Sequence, residues 1–145
     1  MMIGMIGLMG AGALTKKLGG YPNTKLHGYL TWAGVISSFG GLYAIYLNKE
    51  RNGYQHLQTT HAWAGISVMV ASVGLGIVGA VVLHPDFGIA KTNKNIRLAH
   101  KFGARLVLMF AWFTAFMGLM TLTSHPIALA MFAVPLMGIT PLTLM

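Results

Sequence analysis

Apolar residues along this chain are gathered into long blocks separated by short polar stretches. Five blocks stand out: segment A (Met1–Leu14), segment B (about Tyr29–Asn48), segment C (about Ala62–Leu83), segment D (about Phe102–Thr123) and segment E (about Pro126–Met145). B, C and D each reach the ~20 residues that a helix rising 1.5 Å per residue needs to cross a bilayer. Segment A would extend only ~21 Å as a helix, so it reads as a span cut short at its N-terminus. Segment E is interrupted by Pro135 and Pro141, and it crosses if neighbouring helices satisfy the backbone groups its prolines free. The pattern predicts an all-α integral membrane bundle of four to five transmembrane helices, a single domain over 1–145. A cleavable signal peptide is not expected, because Lys16 and Lys17 follow segment A and no basic residue precedes it.

Composition narrows the chemistry. Of 145 residues, 55% are hydrophobic and 8% charged, against about a quarter charged in soluble domains. The only acids are Glu50 and Asp86, and there is no cysteine. Paired-carboxylate catalysis, carboxylate-bridged metal pairs, iron–sulfur clusters, thiolate zinc and disulfides are therefore excluded. The remaining strong metal ligands are six histidines: His27, His56, His61, His84, His100 and His125.

The net charge of +8 does not point to nucleic acid, because the basic residues flank apolar spans. The A–B loop carries Lys16, Lys17 and Lys25, and the C–D loop with the foot of D carries Lys91, Lys94, Arg97, Lys101 and Arg105. If every segment crosses, these eight residues share one face, and only Lys49 and Arg51 lie on the other. The positive-inside rule then puts the A–B and C–D loops on the cytosolic, matrix or stromal side. An organelle membrane (mitochondrial, plastid or endomembrane) is the expected location. "GLGIVG" at Gly74–Gly79 matches a dinucleotide fingerprint by letter, but it lies inside an apolar span and follows no strand. Helix packing through small residues is the better reading.

His27 and His100 each lie two residues before the expected start of B and D, which run in the same direction. They are therefore expected at similar depth on parallel helices, the arrangement a bis-histidine haem requires. His61 begins C on the opposite face. His56 reads as a solvated loop residue. His84, in "LHPDFG", reads as a turn cap on the basic face or as a contact to a propionate or substrate. The tryptophans and tyrosines read as interfacial belt and core filling.

The local strings are informative. "TKLHGYL" surrounds His27, "NGYQHLQTTHAWAG" precedes and follows His61, and "RLAHKFG" surrounds His100, with histidine spacings of 34 and 39 residues. Taken together, from about Leu8 to the C-terminus, they resemble the eukaryotic cytochrome b561 family. The resemblance implies a four-helix core with b-type haems near each membrane face, moving electrons from ascorbate to ferric chelates or monodehydroascorbate. It implies that His27 and His100 hold one haem, that His61 is a ligand of the other, and that basic residues near the inner haem bind an anionic donor. Lys25, Lys91, Lys94, Arg97 and Lys101 are placed for that role. Segment A contains no histidine. The expectation is therefore about one haem b per chain, with His61 lacking its family partner unless His125 or another chain supplies one. Membrane lipid, a homodimer or other membrane subunits, and a donor such as ascorbate are the expected partners. The competing expectation is an accessory subunit of a respiratory or photosynthetic complex that keeps the bundle as scaffold.

Overall fold

The polar stretches that separate the apolar blocks turn out to belong partly to the helices. In the computed structural model, which describes residues 3–122, 124–131 and 133, a π-helical run Ile3–Leu8 leads into α1 (Met9–Lys17). Then follow α2 (Tyr21–Asn52), α3 (Thr60–Ile77) with a π-helical extension Val78–Val82, and α4 (Lys94–Leu122). Among the described residues there is no strand. A short helical stretch over 126–131 follows α4, while Met1, Pro135 and Pro141 lie outside the described residues.

Among the described residues, three helices are long and apolar enough to cross a membrane: Tyr21–Asn52, Thr60–Val82 and Lys94–Thr121. The 32 residues of α2 extend about 48 Å, more than the roughly 30 Å hydrocarbon thickness, so its polar ends project beyond the hydrocarbon. The N-terminal helical stretch, Ile3–Leu8 followed by Met9–Lys17 among the described residues, is shorter.

Both polar starts are helical for local reasons. α2 begins behind the Gly19–Gly20 turn, whose positive φ values of 70° and 81° reverse the chain, and Pro22 stands in its first turn, where the missing N–H costs nothing. α4 begins behind Asn93, whose Oδ1 accepts from the amides of Asn95 and Ile96. At the other face, the Thr59 hydroxyl accepts from the Ala62 amide and caps α3. Gly53 ends α2 in the left-handed conformation.

α1 packs closely on α2, and α3 packs on α4. Gly4, Gly12 and Gly34 bring the N-terminal helix against α2: a Cβ at Gly34 would come within 2.7 Å of Met9 Cγ. The core joins Met5 and Ile6 to Val68 and Met69 of α3 and to Leu108, Ala111 and Trp112 of α4. Trp112 is thus a core residue, whereas Trp63 is exposed. Ser38 and Ser72 are fully buried and return their hydroxyls to Gly34 and Val68 of their own helices at 2.8 and 2.7 Å, which satisfies them without water. The outward faces are apolar: Ile36 is 67% exposed, Val70 68% and Phe110 61%. Side chains of this kind in mid-helix demand lipid rather than water.

Candidate functional site

His27 and His100 lie inside their helices rather than ahead of them. Each is the seventh residue of its helix, counted from Tyr21 and from Lys94, so the two stand at one level near the basic face. They are half-buried and within electrostatic reach of each other.

The two rings are held differently. His27 Nδ1 stands 2.8 Å from the Gly12 carbonyl oxygen. A carbonyl can only accept, so Nδ1 carries the hydrogen and the Nε2 lone pair is left available. The contact needs α1 to approach closely at Gly12, where a Cβ would meet Thr31 Cγ2 at 2.9 Å and the His27 carbonyl at 3.3 Å. Thr31 in turn donates to the His27 carbonyl at 2.8 Å. His100 Nδ1 is buried without a hydrogen-bond partner among the described residues. The π-helical end of α3 passes its ring at Gly79, where a Cβ would lie 3.5 Å from His100 Cε1.

His61 occupies a second level. Its Nδ1 donates to the Thr114 carbonyl at 2.9 Å, again leaving Nε2 free, and its ring lies against Gly118, where a Cβ would meet it at 2.6 Å. Thr114 follows His100 by 14 residues on α4, about 21 Å along the helix. His125 follows α4 and begins the 126–131 stretch. His56 is not simply solvated: its Nε2 lies 2.7 Å from Glu50 Oε1, and its ring stacks on Tyr46 at 4.7 Å. His84 serves the turn, accepting from the Asp86 amide at 3.2 Å and stacking on Phe87 at 3.8 Å.

The basic residues divide into two groups. Lys25 Nζ donates to Asp86 Oδ2 at 3.1 Å and lies 3.2 Å from Tyr21 Oη, which itself donates to Asp86 Oδ1 at 2.5 Å. The Tyr21 hydroxyl, and after it Lys25, hold the Asp86 carboxyl below the usual carboxylate range. Lys91 donates to the Asp86 carbonyl at 3.0 Å and Arg97 to the Lys91 carbonyl at 3.3 Å, so the loop and the foot of α4 form one network. Lys94 and Lys101 are exposed. Lys16, which reads from sequence only as a topology signal, is within electrostatic reach of Arg97, His27 and His100. It donates to Thr24 at 2.6 Å. Its place beside the histidine pair depends on the α1–α2 packing and has no signature in the local string. The Gly12 carbonyl escapes sequence reasoning for the same reason.

The arrangement can present two imidazole lone pairs at one level of an apolar bundle, under a cationic rim. Among the described residues no group of three or more His, Cys, Asp or Glu side chains converges.

Comparison with known proteins bears on what such a bundle belongs to. The model of the family "Eukaryotic cytochrome b561" matches residues 1–125. Over 124 residues the chain is 32% identical to the transmembrane ascorbate-dependent reductase CYB561 of Mus musculus, an alignment covering 82% of this chain and 49% of that protein. The chain thus spans about half the length of the curated relative it matches. No solved structure matches it significantly. A helical membrane protein with this match over most of its length belongs to the eukaryotic cytochrome b561 family.

Proposed function

We propose that residues 1–145 hold one haem b between His27 on α2 and His100 on α4 and accept electrons at the basic face from an anionic donor of the ascorbate class. The observation that carries this reading is the bond from His27 Nδ1 to the Gly12 carbonyl at 2.8 Å. It fixes the ring and its tautomer and presents Nε2, as outer hydrogen bonds do for histidines that bind iron. His100 stands at the same level, and its buried Nδ1, without a partner among the described residues, leaves the ring free to turn toward a bound group. Two imidazoles are too few for a bare ion, but an iron porphyrin brings nitrogen ligands of its own, and His27 and His100 would complete its ligand set.

Bound there, haem b would supply a one-electron ferric/ferrous couple. The chain's own residues do the rest. Apolar faces of α2, α3 and α4 exclude water from the imidazoles. Lys16, Arg97 and Lys101, with Lys25 farther along the rim, raise the local concentration of an anion and favour negatively charged propionates. The relative from Mus musculus is by name an ascorbate-dependent reductase, which supports ascorbate as the donor. His61, about 21 Å away along α4, is not required for this site. The onward acceptor is then a second cofactor or a substrate beyond this site.

The test is an ascorbate titration of the haem-loaded chain, followed by its reduced-minus-oxidised spectrum at low and high salt. Saturable reduction that weakens with salt is expected. Reduction that neither saturates nor responds to salt would overturn the anionic-donor reading.

A further inference from the structure

Two donors on the first turns of α2 already hold a carboxylate. Tyr21 Oη donates to one oxygen of Asp86 at 2.5 Å and Lys25 Nζ to the other at 3.1 Å. One hydroxyl and one ammonium, each on its own oxygen, are what recognition of a small oxyanion requires. The carboxylate belongs to one of only two acids in the chain.

The loop is built to deliver it. Gly88 closes the turn by donating to the His84 carbonyl at 3.0 Å, and a Cβ there would come within 2.6 Å of the His84 amide nitrogen. The amides of Ile89 and Ala90 donate back to the carbonyls of Val81 and Val82. Lys91 fastens the far side by donating to the Pro85 and Asp86 carbonyls. Asp86 is therefore pinned on its backbone while its side chain stays 38% exposed. The ion pair lies at the surface, where such pairs are weak and exchangeable.

We infer that Tyr21 and Lys25 form an oxyanion subsite which the Asp86 carboxylate occupies at rest, so that an anionic donor must displace Asp86 to use it. This rests on the proposed anionic donor at the basic face and adds a built-in competitor to it. The device sets affinity: it raises KM for the donor and leaves the electron-accepting step alone. It also selects, because a neutral reductant gains nothing from displacing a carboxylate.

The full haem-loaded chain, in nanodiscs, is assayed with ascorbate as Asp86→Asn, Lys25→Gln, the double variant and Asp86→Glu. In Asp86→Asn, KM for ascorbate should fall about two- to fivefold, the range an exposed ion pair supports, with kcat unchanged. The fall should vanish when Lys25→Gln is already present. Asp86→Glu keeps the charge and should keep the wild-type KM. An unchanged KM in Asp86→Asn overturns the inference, and so does an equal fall with and without Lys25, which would make Asp86 only a distant repulsive charge. A fall in both Asp86→Asn and Asp86→Glu would mean a loosened loop and also overturns it. Wild-type chain that shows no saturable, salt-sensitive reduction by ascorbate would instead remove the donor reading on which the inference stands.

Discussion

The Gly12 carbonyl on α1 accepts the Nδ1 hydrogen of His27 on α2 at 2.8 Å. A short N-terminal helix thereby orients a histidine of the first long span. Gly12→Ala would place a Cβ 2.9 Å from Thr31 Cγ2 and push the two helices apart. The overpacking should cost about 1–3 kcal/mol. With the bond weakened, the imidazole donates less electron density, and the haem midpoint potential should rise. A redox titration beside a thermal melt checks both. An unchanged potential would mean that the bond does not act on the site.

Asp86 gives a pH dependence whose sign follows from its partners. Tyr21 and Lys25 depress its folded-state pKa, so the unfolded chain binds the proton more readily than the folded one. The stabilisation from the tie is present above the unfolded value, about 3.9 for Asp, and is lost as pH falls through the lower folded value. The thermal midpoint of wild-type chain should therefore drop more steeply below about pH 4 than that of Asp86→Asn. Parallel curves would show that the tie contributes nothing to the fold.

Sidedness can be read directly, because the chain has no cysteine. Thr92→Cys lies in the loop before α4 and Gln58→Cys in the loop before α3, both at exposed positions. In sealed vesicles whose cytosolic side faces inward, an impermeant maleimide should label Gln58→Cys and spare Thr92→Cys. The reverse pattern would contradict the orientation drawn from eight basic residues against two.

The three long spans are legible in the sequence because their apolar runs exceed what a soluble core would hold. The start of α3 at Thr60 lies close to the expected Ala62, but the starts of α2 and α4 are not legible. Tyr21-Pro22-Asn23-Thr24-Lys25 and the stretch from Lys94 are polar, so hydropathy places the boundaries near Tyr29 and Phe102. Pro22 in the first turn and the Asn93 cap carry the helices further out. The equal register of His27 and His100 is insensitive to that difference because both boundaries move by the same amount. Hydropathy and local strings cannot show what is set by contact between helices: the Gly12 carbonyl on His27, Lys16 beside the pair, the Thr114 carbonyl on His61 and the Asp86 tie. Backbone carbonyls leave no trace in a residue string. His56 reads as solvated because nothing local announces that Glu50, six residues earlier, folds back onto its ring.

The central claim is that iron is held by His27 and His100 and not by His61. Haem per chain, measured by the pyridine haemochrome assay on wild-type, His100→Ala and His61→Ala protein, tests it most directly. The account predicts about one haem in the wild type, almost none in His100→Ala and nearly the wild-type amount in His61→Ala. Two haems in the wild type, or equal losses in the two variants, would contradict it.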